Sequence, residues 1–323
     1  MNPFAAGALA VSTAFAIAGV CLVLLRVSLV SKPLLMSFVG AVSLFCPLLI
    51  PAEHIRTRAL ASVLCVELWL KLLALARVTS DPRHAPVTLM QAAQFLVPFP
   101  TLLVVYDDKQ WRTGTSIERQ DVLRAAIGGS IVFAAFCTLK LLAQAPAFQQ
   151  SFLLDHLVKF VLFVVTTEAI AQASVGVERL LGYDTTPIVR RAFLSKTVGE
   201  FWYRYNNRVH RWLHYNVFIP CRGFGAPIRG LLLTFFASAV LHELMFGVAT
   251  SRFDGSQFAF FMLQAPAVLV SQQIAQLRMR QQAILREFNR LLTILWFAVS
   301  SVLFFRGVDR VFSDYYTSQP WLP

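Results

Sequence analysis

Two short stretches hold the side chains with which this chain could do chemistry. In "FFASAVLHELMFG", residues 235–247, His242 and Glu243 stand in an apolar run. In "FWYRYNNRVHRWLHYNVFIP", residues 201–220, three Arg, two His and three Asn are interleaved with aromatic residues. An imidazole, with its ordinary pKa of ~6.5, suits a general base, and in neutral form it is cheaper to bury than a carboxylate. A side-chain amide can donate a hydrogen bond to charge that develops on an oxygen. Each stretch also has a plainer explanation. The first could hydrogen-bond within a helical bundle, and the second could be a basic amphipathic helix lying in a membrane interface.

Several other chemistries lack their signatures. The sequence has no Gly-rich phosphate loop ending in Gly-Lys-Ser/Thr, no Gly-x-Ser-x-Gly elbow and no Cys-x-x-Cys, and His242-Glu243 has no second His four residues on. Nucleotide hydrolysis, serine-elbow hydrolysis and zinc-helix proteolysis each lose their usual mark. The five cysteines (Cys21, Cys46, Cys65, Cys137 and Cys221) show no pairing or metal-like spacing and read as small apolar residues. No metal is expected.

The elements that must position these residues follow from composition. Of the 323 residues 57% are hydrophobic and only 14% charged, with a mean hydropathy of +0.61. A soluble domain carries about a quarter charged residues, so this is a multi-pass integral membrane protein. Apolar stretches able to cross a hydrocarbon core fall near 7–25, 34–50, 59–76, 88–105, 122–145, 152–175, 227–249, 257–275 and 288–305. The expected fold is all-α, a polytopic helical bundle of about eight or nine transmembrane helices. One domain, residues 1–323, covers the chain. The first segment lacks a cleavage site and reads as a retained span.

Charge gives an expected orientation. The even-numbered connections between these spans carry the greater part of the Lys and Arg, which places them in the cytosol. The net charge of +12 is therefore a membrane-surface signal and not a nucleic-acid footprint. Between Arg190 and Arg229 there are eight Lys and Arg against one acid, Glu200. That could attract an anionic ligand, although the positive-inside rule alone also predicts such an excess.

Among ionisable residues inside the spans, His242 is the leading candidate. It lies about fifteen residues into the seventh span, roughly 20 Å along the helix. Glu67 and Lys71 stand four apart, as do Asp155 and Lys159, the spacing of intrahelical ion pairs. Glu168 has no such neighbour and could line a cavity. Residues 276–292 read as an interfacial helix.

The arrangement of Phe201, Trp202, Asn206, Val209, His210, Arg211, Trp212 and Pro220, followed by Phe235-Phe236-Ala237-Ser238-Ala239 and His242-Glu243, resembles the membrane-bound O-acyltransferase family. The first block is most similar to the diacylglycerol and sterol acyltransferase branch, and "LHELMF" is similar to wax synthases. The likeness covers residues 195–250. Tyr205 stands where a Trp is usual and Arg208 where the glyceride branch has Pro, and the chain is short for the family, without its long N-terminal region.

The resemblance implies an acyl-CoA-dependent O-acyltransferase with His242 as catalytic base and Asn206 as its polar partner. The wax-synthase spacing would select Asn207 instead. Trp202, Arg204, Asn207, Arg208, His210 and Trp212 become candidate substrate-binding residues, and Glu243, about 100° around the helix from His242, is assigned a structural role. Acyl-CoA is a co-substrate, and no other cofactor is implied. The acceptor is expected to be a lipophilic alcohol, with wax ester formation ahead of sterol ester or glyceride. Acylation of a polysaccharide or small metabolite is the alternative within the same chemistry. A noncatalytic transporter or lipid-binding protein with a His242/Glu243 proton relay is the alternative outside it. A bacterial inner membrane and the endoplasmic reticulum fit equally well, and nothing in the sequence indicates an oligomeric state.

Overall fold

The computed structural model describes residues 2–24, 31–80, 87–97, 117–183, 185, 187–278, 283–313 and 315–318. In chain order the helices are α1 (Pro3–Leu24), α2 (Lys32–Ser43), α3 (Ile55–Ser80), α4 (Leu89–Leu96), α5 (Arg119–Leu142), α6 (Pro146–Gln150), α7 (Phe152–Leu180), α8 (Val198–Tyr205), α9 (Asn207–Leu213), α10 (Pro227–Thr250), α11 (Ser256–Arg278) and α12 (Ala283–Val311). Seven of the described helices (α1, α3, α5, α7, α10, α11 and α12) are long and apolar enough to cross a membrane. The chain is an all-helical integral membrane protein.

The stretch 34–50 is not one helix. α2 ends at Ser43, and a separate 3-10 turn, Cys46–Leu49, follows with Pro47 at its start. Proline brings no N–H to a helical ladder and pushes the residue before it out of helical geometry. Of the expected span 88–105, residues 98–105 lie outside the described part. Its described beginning, α4, opens on a reciprocal cap. The Gln91 N–H donates to the Thr88 hydroxyl at 3.2 Å, and the Thr88 N–H donates to the Gln91 carboxamide oxygen at 2.9 Å. The stretch 276–292 covers the end of α11 and the start of α12, with 279–282 outside the described residues.

Packing divides the chain into two compact units, each discontinuous in sequence: Met1–Trp111 with Arg211–Phe258, and Arg112–His210 with Ala259–Pro323. In the first, α3 packs against α1, α2 and α10. α1 supplies a stripe of fully buried alanines, Ala6, Ala10, Ala14 and Ala18. Their four-residue spacing puts them on one face, where small side chains allow close helix approach. Ala6 and Ala10 pack with Ile50 and Ala61. At the start of α3, Arg58 donates to the hydroxyl of Ser251, just after α10, at 2.8 Å. α3 and α10 are therefore antiparallel.

In the second unit α5 and α7 meet backbone to backbone. A Cβ added to Gly128 would lie 2.6 Å from the Ala169 carbonyl oxygen, and one on Gly176 would lie 2.5 Å from that of Asp121. Neither position accepts a larger residue without moving a helix. α7 also carries a buried polar cluster. Asp155 pairs with Lys159 at 2.7 Å, both fully buried. The same carboxylate accepts the backbone N–H groups of Thr317 (2.8 Å) and Ser318 (3.1 Å) and the Ser318 hydroxyl (3.0 Å). The Asp155–Lys159 spacing thus does more than neutralise itself, because it fastens the C-terminal segment to α7.

Candidate active site

His242 lies in α10, on the first unit. Pro227 opens this helix at its first turn, where a missing N–H costs nothing. The imidazole Nδ1 of His242 is 2.8 Å from the backbone carbonyl oxygen of Ser238, one turn back. A carbonyl can only accept, so the proton is assigned to Nδ1 and the lone pair to Nε2. The side chain that could remove a proton is thereby held in the tautomer that does so through Nε2.

A second buried histidine, His156 in α7, has the opposite arrangement. Its Nε2 donates to the Ala298 carbonyl oxygen at 2.6 Å, and its Nδ1 accepts from the Tyr316 hydroxyl at 2.6 Å. Both ring nitrogens are committed to the packing of the second unit. Sequence reasoning passed over His156; the signal was its place between Asp155 and Lys159.

The other intramembrane acids have structural partners. Glu243 accepts the Gly255 N–H through Oε1 at 2.9 Å and the Phe258 N–H through Oε2 at 3.1 Å. These amides belong to the opening of α11, where a helix has unsatisfied donors and favours negative charge. Glu67 pairs with Lys71 at 2.9 Å, and the Lys71 ammonium also donates to the Val97 carbonyl oxygen at 2.6 Å. Glu168 accepts the Ala192 N–H at 3.1 Å.

The Asn-rich stretch begins with α8, on the second unit. Its start is fixed by the Thr197 hydroxyl accepting the Glu200 N–H at 3.0 Å and by Glu200 accepting the Lys196 N–H at 2.7 Å. The aromatic residues of α8 turn into an aromatic layer. The Phe201 ring centroid lies 3.7 Å from that of Phe297, and Trp202 packs against Phe260, Phe261 and Phe297. Burial pushes the Tyr205 hydroxyl up to about 12, an effect partly offset by its hydrogen bond with Thr167.

α8 and α9 are not continuous. Asn206 breaks the helix at φ −136° and ψ 79°, so the 100° divergence expected for adjacent helical residues does not describe Asn206 and Asn207. The Asn206 Oδ1 accepts the Val209 N–H at 3.2 Å, capping α9. The cap uses the acceptor end of the amide and leaves the donor end, Nδ2, out of it. Asn207 is tied elsewhere: its N–H donates to the Ile188 carbonyl oxygen at 3.1 Å and its Nδ2 to that of Pro187 at 3.5 Å.

The candidate cations of this stretch are paired. Arg204 meets Glu200 at 2.5 Å. Arg208 forms a two-pronged pair with Glu178 of α7, Nη1 to Oε1 at 2.8 Å and Nη2 to Oε2 at 2.5 Å, the side chains only 15% and 6% exposed. His210 donates its backbone N–H to the Asn206 carbonyl oxygen at 2.7 Å, and its ring meets Tyr203 edge-on. Trp212, on the first unit, is buried and donates its indole N–H to the Leu70 carbonyl oxygen of α3 at 2.8 Å. The outward-facing cations of the basic connection are Arg190, Arg191, Lys196, Arg211, Arg222 and Arg229. Among the described residues, no group of three or more His, Cys, Asp or Glu forms a metal-holding cluster.

The fold is that of a polytopic helical membrane protein, with His242 inside a span and Asn206 capping a short helix upstream. The sequence model of the membrane-bound O-acyltransferase family matches residues 130–306, and the chain belongs to that family. It is similar to "Diacylglycerol O-acyltransferase 1" of Corylus americana, 38% identical over 79 residues, which are 24% of this chain and 14% of the relative. It is also similar to "Diacylglycerol O-acyltransferase 1B" of Glycine max, 36% identical over 78 residues, 24% of this chain and 16% of the relative. "Probable sterol O-acyltransferase 2" of Schizosaccharomyces pombe is 34% identical over 77 residues, again 24% of this chain and 16% of the relative. The aligned part thus spans about one-sixth or less of the length of each of these relatives.

Proposed function

We propose that this protein is a membrane-embedded O-acyltransferase that moves a fatty acyl group from acyl-CoA to the hydroxyl of a lipophilic alcohol. His242 acts as general base and the Asn206 amide as hydrogen-bond donor. The observation that carries the reading is the Nδ1 contact of His242 with the Ser238 carbonyl oxygen, which puts the basic lone pair on Nε2. Family membership and the names of the relatives support the reaction class.

The chemistry is a direct transfer. As the alcohol oxygen attacks the thioester carbonyl, its proton passes to Nε2 of His242, a contribution of typically ~10² to 10⁴-fold. The carbonyl oxygen gains negative charge, which a donor such as the Asn206 Nδ2 stabilises; one preorganised donor is worth ~3 kcal/mol. Collapse re-forms the carbonyl, breaks the C–S bond and releases CoA thiolate, which takes up the proton. The thioester is already activated, so no covalent enzyme intermediate is needed.

The acceptor belongs to one of three lipophilic classes: fatty alcohol, sterol or diacylglycerol. The wax-synthase likeness of "LHELMF" favours the first. The relatives' names favour the other two. Purified protein supplied with acyl-CoA and each alcohol in turn tests the reading. Alcohol-dependent release of free CoA with formation of the ester supports it. Absence of CoA release with every alcohol, from protein shown to be folded, overturns it.

A further inference from the structure

We infer that Glu178 is a positioning residue for the Asn206 amide, acting through Arg208. The inference rests on the role proposed above for Asn206 and adds the device that holds it. Asn206 stands at a helix break, where its carbonyl oxygen already accepts the His210 N–H of α9 but its own N–H and side chain lie outside a continuous helix. Its side-chain amide is oriented by the first turn of α9, through the Val209 N–H. Arg208 lies in that same turn, between the cap and the residue it caps.

The α8–α9 junction is held from outside at several points. The Arg190 N–H donates to the Arg204 carbonyl oxygen at 2.9 Å, and the Asn207 N–H donates to that of Ile188 at 3.1 Å. Both lead to the irregular stretch around residues 187–192, where Arg191 adopts a left-handed backbone with φ 50°. The Arg208–Glu178 pair reaches a regular element, the long helix α7, as does the hydrogen bond of Tyr205 with Thr167. A two-pronged guanidinium–carboxylate pair fixes direction as well as distance. Glu168, also on α7, holds the irregular stretch itself through the Ala192 N–H. Two carboxylates about fifteen ångströms apart along one helix therefore set the position of the break, one directly and one through the intervening loop.

Glu178→Gln keeps the shape and removes the charge of the fork. In an assay of the active enzyme it should lower kcat ~10-fold or more with the acyl-CoA KM within ~2-fold, because a misplaced donor costs transition-state stabilisation while leaving ground-state binding in place. The exchange Glu178→Arg with Arg208→Glu should restore most of kcat. Hydrogen exchange of the peptide covering residues 203–213 should rise in Glu178→Gln and fall back in the exchange variant. That readout applies whether or not the protein transfers acyl groups, so failure of the proposed reaction and failure of this inference can be told apart. Native kcat, a defect confined to KM, or unchanged exchange across 203–213 in Glu178→Gln would each overturn it.

Discussion

The Nδ1 of His242 and the carbonyl oxygen of Ser238 lie 2.8 Å apart. The partner is backbone, so replacing the Ser238 side chain leaves the carbonyl in place. Ser238→Ala should therefore retain turnover within severalfold of native. Turnover measured on folded, membrane-inserted protein checks this.

The two asparagines differ in how the fold holds them. Asn206 contributes only its acceptor end to the α9 cap, whereas Asn207 is tied through backbone and side chain to residues 187 and 188. Asn206→Ala should lose at least ~10²-fold in kcat, the scale for one preorganised donor. Asn206→Asp keeps the capping oxygen but removes the donor, and should be as inactive while remaining as stable as native. Asn207→Ala should stay within severalfold of native. Activity retained in Asn206→Asp would remove the donor role.

For acyl-CoA attraction the relevant cations are the outward-facing ones. Arg222→Glu or Arg211→Glu should raise the acyl-CoA KM ~3-fold or more at low salt with kcat nearly unchanged, and the defect should shrink toward 0.5 M salt as screening shortens below ~8 Å. A KM independent of both charge and salt would leave the basic connection with a purely topological role.

Stability should depend on the buried cluster of α7. Asp155→Ala removes the partner of a fully buried Lys159 and three hydrogen bonds to residues 317 and 318. Breaking such a pair from one side costs about 3–5 kcal/mol. The melting temperature in detergent should fall markedly, with faster proteolysis of the C-terminal segment. A native melting curve would show that this cluster does not hold the second unit.

What could be read from the sequence was local. The helical spans were legible from their apolar runs, and His242 and Asn206 stand out as candidates because a polar pair breaks a long apolar run and because two blocks resemble a family in order and separation. What was not legible depended on contacts across the fold. Arg208 reads as a surface charge for an anionic ligand until Glu178, thirty residues upstream, is seen to hold it. The break at Asn206 did leave a local signal, since it falls on an Asn-Asn pair, poor helix formers that favour caps, which sequence reasoning passed over. In 34–50 it was the continuous apolar run that hid the break, because apolar residues run past the stop set by Pro47. His156 was missed because its place between Asp155 and Lys159 marks it only as polar, while the partners of its two nitrogens, Tyr316 and Ala298, are distant in sequence.

The central claim is tested most directly by acyl-CoA turnover of His242→Ala in purified, folded protein, using the alcohol on which the native enzyme is fastest. The account predicts loss of at least ~10²-fold in kcat, the lower end of general-base catalysis, with the melting temperature unchanged. It also predicts native activity that falls as the imidazole becomes protonated at acid pH. Near-native turnover by His242→Ala would contradict it.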